Sequence, residues 1–104
     1  LIEGANSPIT ADAEEILLKN KKIIMPDILA NSGGVIASYF EWLKGKGNLS
    51  ITDDYVDSIV KEKLLNAYKK VKKISENKKK SFREGAIILS LENIYRKAKL
   101  RGVL

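Results

Sequence analysis

A chain of 104 residues, 44% of them hydrophobic, has room for one domain with a modest core. It holds no cysteine and no histidine, which excludes disulfides, thiolate chemistry, the commonest general base and the favoured transition-metal ligand. The formal charge is +6, and no apolar run reaches the roughly 18 residues that a membrane span needs. Chemistry served by this chain must rest on carboxylates, lysines, amides, hydroxyls or backbone groups. The lack of cysteine fits a reducing compartment, and a cytoplasmic location is expected.

The charge is unevenly spread. Residues 1–52 carry five lysines against six acids, while residues 53–104 carry fourteen Lys and Arg against seven acids. A basic half raises the alternative of a helical module that binds nucleic acid or an acidic partner. The lysines of residues 61–80 fall on the polar side of one helix, however, with no interleaved aromatics on which bases could stack. A solvated face is the expected reading, and nucleic acid is not an expected partner.

In chain order, Leu1-Ile2-Glu3 reads as the end of a strand that turns at Gly4. A start at Leu1 rather than Met predicts a trimmed or separately expressed piece of a longer protein. Thr10 is placed to cap a helix whose first turns carry Asp12, Glu14 and Glu15, where the helix dipole favours negative charge. Ala13, Ile16 and Leu17 give it an apolar face, and Asn20 suits its end. Lys22-Ile23-Ile24-Met25, stopped by Pro26, has the look of a buried parallel strand. Strand, helix and strand predict an α/β fold containing one βαβ unit with a right-handed crossover, and two strands alone call for more upstream.

The rest reads as helical. Asp27 to Ala30 forms a short turn, and Ser32-Gly33-Gly34 opens a helix running to about Lys44, ended by Gly45-Lys46-Gly47. Thr52 caps the next helix, with Val56, Ile59, Val60, Leu64, Ala67, Val71 and Ile74 inward. Glu76 to Lys80 reads as a polar turn. Ser81-Phe82-Arg83-Glu84 has the form of a capping box. It opens a last helix with Ile87, Ile88, Leu91, Ile94, Tyr95 and Ala98 inward, closed by Gly102.

The stretch from Pro26 to Trp42 sets a loop after a strand end against a glycine-rich helix start, the usual place for a ligand in an open parallel sheet. Free N–H groups at Ser32 to Val35 could face an anion. Gly33 and Gly34 would let backbone approach a ligand closely. Val35 and Ser38 share a helix face, apolar with one hydroxyl, which suits a small chain ending in a carboxylate. Asn6 is expected on the same rim as Asn31, where two amides could bind a carboxamide or a sugar hydroxyl. Each feature also has a plain reading: a loop-to-helix joint at Gly33-Gly34, turn chemistry at Asn6, and core packing for Tyr39, Phe40 and Trp42.

Leu1-Ile2-Glu3-Gly4-Ala5-Asn6-Ser7-Pro8-Ile9-Thr10, with Pro26-Asp27-Ile28 through Ser38-Tyr39-Phe40-Glu41-Trp42, resembles the C-terminal region of glutamate dehydrogenases, within the Glu/Leu/Phe/Val dehydrogenase family. The likeness runs through the last helix to Arg101-Gly102, and the short link from Gly45 to Thr52 is similar to the compact bacterial and archaeal type. Ser7 stands where the family often has glycine, and Ser32 where it often has alanine.

The resemblance implies the C-terminal part of a Rossmann-like doubly wound sheet followed by three helices. Residues 1–48 would close the dinucleotide-binding domain, and residues 49–104 would be helices packing back toward the substrate domain. It implies oxidative deamination of L-glutamate to 2-oxoglutarate and ammonia, with hydride transfer to NAD or NADP, in an enzyme that is usually hexameric. Asn6 and Asn31 would lie by the cofactor, Val35 would line the glutamate pocket, and Ser38 would bond the substrate's γ-carboxylate. The family's catalytic lysines and aspartate and its dinucleotide fingerprint match nothing in this sequence, so no catalytic residue is expected here and the chain alone should be inactive.

Overall fold

The computed structural model describes residues 1–47 and 50–104. Among the described residues five helices follow one another: α1 (Ala11–Lys19), α2 (Asp27–Ala30), α3 (Ser32–Lys46), α4 (Asp53–Lys78) and α5 (Phe82–Leu100). Local capping chemistry starts three of them. Thr10 Oγ1 accepts from Ala13 N–H, Thr52 Oγ1 accepts from Tyr55 N–H, and Ser81 with Glu84 forms both halves of a capping box.

The predicted α/β architecture is not what the chain adopts. Among the described residues there is no strand and no sheet, only one isolated parallel bridge between Ile2 and Met25. Its two hydrogen bonds run from Glu3 N–H to Met25 O at 3.1 Å and from Met25 N–H to Leu1 O at 2.8 Å. One paired residue on each side cannot make a βαβ unit, and Ile2 and Ile23 stay exposed where a buried parallel strand would hide both faces. The Rossmann-like doubly wound sheet is therefore replaced by a helical assembly in which one bridge tethers the first residues to the entry of α2.

The core lies where α2, α4 and α5 meet. Leu29, Val71 and Ala86 are buried there, with Met25, Ala67, Tyr68, Phe82 and Leu89 packed around them. The rings of Tyr68 and Phe82 stack with centroids 5.9 Å apart. Small residues set the α4–α5 spacing. A Cβ on Gly85 would collide with Ser75 Oγ and come within 3.1 Å of Val71 O, so any larger residue forces Ser75 or the crossing itself to shift.

Three helix expectations change as well. The second predicted helix runs on through Lys46, taking Gly45 into its last turn. The expected polar turn is mostly helix, because α4 continues to Lys78 and stops on Lys79 in the left-handed region at φ 52°. On α5 the buried positions are Gly85 and Ala86, while Ile87, Leu91, Ile94 and Tyr95 are exposed. The face of α5 that packs inward carries Phe82, Gly85, Ala86 and Leu89, so the stripe expected to point inward is turned away from the core. Residues 48 and 49, where the expected domain boundary falls inside the Gly45-to-Thr52 link, lie outside the described residues.

Candidate functional site

Asn6 and Asn31 meet. Asn31 ends α2 through its N–H, which donates to Asp27 O at 2.9 Å, and it also stands at the N-cap of α3. Its side chain makes no capping bond to α3. Instead Asn31 Nδ2 donates to Asn6 Oδ1 at 2.6 Å. Among the described residues, the other half of each amide, Asn31 Oδ1 and Asn6 Nδ2, has no hydrogen-bond partner. The pair thus leaves one acceptor and one donor for a ligand, matching a carboxamide or a ribose hydroxyl, each of which both donates and accepts.

Asn6 is held in place by its neighbour. Ser7 adopts φ 48°, a left-handed conformation, and its N–H donates to Asp27 Oδ2 at 2.7 Å. The second oxygen of Asp27 accepts from Ile28 N–H at 2.7 Å. One carboxylate therefore fixes both the turn that carries Asn6 and the helix that leads to Asn31. These backbone bonds, Ser7 first, hold the Asp27 carboxyl below its ordinary value of 3.8 against the opposing effect of burial, with Arg83 adding to them.

On α3 the structure places Val35 and Ser38 at the surface. Val35 is 75% exposed, and Ser38 has no hydrogen-bond partner among the described residues. The surface they share is open rather than enclosed. A cavity of about 310 Å³ lies elsewhere, between Leu18, Ile23 and Ile24 on one side and Ser75 and Phe82 on the other. The glycines also take different parts from those expected. A Cβ on Gly33 would sit 3.3 Å from Val60 Cγ1, so Gly33 serves the packing of α3 on α4, while Gly34 faces open space. Tyr39 and Trp42 are exposed rather than core, and Lys46 Nζ lies 4.5 Å over the Trp42 ring.

Behind the amide pair lies a group that reading the sequence missed. Arg83, from the first turn of α5, donates to three carboxylates. Its Nε reaches Glu14 at 2.8 Å, its Nη1 reaches Asp27 at 3.1 Å, and its Nη2 reaches Glu3 at 2.6 Å. Glu3 is only 1% exposed and also accepts from Asp27 N–H at 2.9 Å. Burial disfavours the charged guanidinium, but the bonds to Glu3 and Glu14 outweigh it and raise the Arg83 pKa. No buried side-chain polar atom among the described residues lacks a partner, so the cluster is satisfied throughout. A signal was available: Glu3 is a charge in an otherwise apolar run, and a buried carboxylate requires a cation.

The Glutamate/Leucine/Phenylalanine/Valine dehydrogenase profile matches residues 1–102. The chain belongs to this family. It is 36% identical over 106 residues to the NADP-specific glutamate dehydrogenase of Saccharolobus shibatae, covering all of this chain and 25% of that protein. It is 33% identical over 102 residues to the NAD-specific glutamate dehydrogenase of Staphylococcus aureus, covering 98% of this chain and 25% of that one. The crystal structure of glutamate dehydrogenase from Peptoniphilus asaccharolyticus superposes with a TM-score of 0.87 at 30% identity, over 99% of this chain and 26% of that chain. This family member thus spans about a quarter of the length of the curated relatives that it matches. No group of three His, Cys, Asp or Glu among the described residues could hold a metal, and no helix is long and apolar enough to cross a membrane.

Proposed function

We propose that the chain is the C-terminal part of a glutamate dehydrogenase. The reaction takes L-glutamate, water and NAD or NADP to 2-oxoglutarate, ammonia and the reduced cofactor. The observation that carries this reading is the Asn6–Asn31 contact, with a donor and an acceptor left for a ligand, in a chain of this family.

In this reading the nicotinamide cofactor supplies the hydride acceptor. Asn6 would contact its ribose side, and Asn31 would lie by the nicotinamide and the substrate. Val35 lines the pocket for the glutamate side chain, and the Ser38 hydroxyl donates to the γ-carboxylate. The family's catalytic lysines and aspartate match nothing in this chain, so the proton and hydride steps fall to groups outside it and the chain alone is inactive. Residues 1–48 complete the dinucleotide-binding domain, and residues 49–104 pack toward the substrate domain, which gives the exposed stripe of α5 a place to bury. We assign the complete enzyme to the cytoplasm as a homo-hexamer.

The test is glutamate-dependent reduction of NAD and NADP by the complete protein, compared with its Ser38→Ala variant. A hydrogen bond to a charged group contributes roughly 1.5–3 kcal/mol, so kcat/KM for glutamate should fall about 10- to 100-fold. Cofactor affinity should change little. No reduction of either cofactor by the unaltered complete protein would overturn the reading, and unchanged glutamate kinetics would remove Ser38 from the site.

A further inference from the structure

We infer that Arg83 is a positioning residue for the cofactor-facing amides, a role that rests on the glutamate dehydrogenase reading above. Asn6 and Asn31 are each one short step from a carboxylate that Arg83 holds. Asn31 N–H bonds Asp27 O, and the N–H of Ser7, next to Asn6, bonds Asp27 Oδ2. Glu3 begins the segment that carries Asn6 and also accepts from Asp27 N–H. The guanidinium closes this loop by binding Asp27, Glu3 and Glu14 together.

The arrangement needs this particular side chain. Three separate carboxylates arrive from three segments, and only a planar, multi-donor cation reaches all of them at once. Without it, Glu3 and Asp27 would remain as close, buried and mutually repelling charges. They could separate only by moving the two backbone segments that set the Asn6–Asn31 distance. Arg83 touches neither amide, so its effect on the ligand is exerted entirely through those segments. A displacement of about 1 Å at groups that orient a reactant can cost about 100-fold in rate.

The experiment uses the complete protein with Arg83→Ala, Arg83→Lys and, as a destabilised control on the same helix, Gly85→Ala. All are assayed well below their unfolding midpoints. Arg83→Ala should lower kcat about 10- to 100-fold. It should also raise the primary isotope effect with 2-deuterated glutamate, because hydride transfer becomes slower than product release. Gly85→Ala should lose stability but keep kcat. Millimolar guanidinium should restore kcat of Arg83→Ala saturably, and urea should not.

Arg83→Ala with unchanged kcat and isotope effect would overturn the inference while leaving the enzyme reading intact. An unaltered protein that reduces neither cofactor would instead defeat the enzyme reading itself. If Arg83→Ala fails to fold, Arg83→Lys carries the test. Its single ammonium cannot span three carboxylates, so a drop in kcat supports the role and an unchanged kcat overturns it.

Discussion

Arg83 Nη2 lies 2.6 Å from both carboxylate oxygens of Glu3, a residue 80 positions earlier in the chain. That contact, with Glu3 fully buried and Arg83 partly so, joins the first residues to α5. It fixes the segment from which Asn6 reaches Asn31. A buried pair of this kind strongly destabilises when one partner is removed, because the other charge is left without compensation.

Glu3→Gln keeps the shape but leaves Arg83 with one negative partner fewer. The expected loss is about 3 kcal/mol, seen as a lower denaturant midpoint of the complete protein. A midpoint equal to that of the unaltered protein would mean that Glu3 contributes no net ion-pair stability.

Gly85→Ala should destabilise by about 1–3 kcal/mol, because the new methyl group meets Ser75 Oγ and the Val71 carbonyl. Combining it with Ser75→Ala should recover part of the loss, since one of the two clashing atoms is then gone. Additive effects in the double variant would contradict the packing described for the α4–α5 crossing.

Caps were legible from sequence because they are local: Thr10, Thr52 and the Ser81–Glu84 box each act within three residues. The meeting of Asn6 and Asn31 is also legible, although no sheet rim among the described residues brings them together. A single bridge and the Asp27 carboxylate do that work instead. Glu3, a charge in an apolar run, signals a buried cation, but which cation is not legible: the carboxylates that Arg83 binds stand 56, 69 and 80 residues away from it, and an arginine in a first helical turn reads as a solvated charge. On α5, periodicity identifies which side chains share a face but not whether anything lies opposite, and Ile94 remains 64% exposed.

Acid should loosen the site in a defined direction. The folded-state pKa of Asp27 lies below its ordinary 3.8, so its stabilising contribution is complete above that value and is lost as pH falls through the lower folded value. Glu84, held down by the Ser81 N–H and then by Lys80, acts in the same sense from 4.5. Asp27→Asn should flatten the fall of stability below about pH 4. An unchanged slope would mean that Asp27 titrates normally in the folded protein.

Ser7 occupies a left-handed conformation that costs a residue with a side chain about 1–2 kcal/mol. Glycine removes that strain but gains freedom when unfolded, so Ser7→Gly should be neutral or up to about 1 kcal/mol stabilising. A β-branched residue suffers most there, and Ser7→Val should lower the unfolding midpoint. Equal midpoints for Gly and Val would contradict the φ of 48°.

The most direct test of the account is a double-mutant cycle on cofactor affinity in the complete protein, using Asn6→Ala, Asn31→Ala and both together. Titration with the reduced cofactor, followed by its fluorescence, should show weaker binding for each single change. The double variant should lose less than the sum, because the two amides act on the ligand as one hydrogen-bonded unit. Affinity unaltered in both single variants would contradict the account.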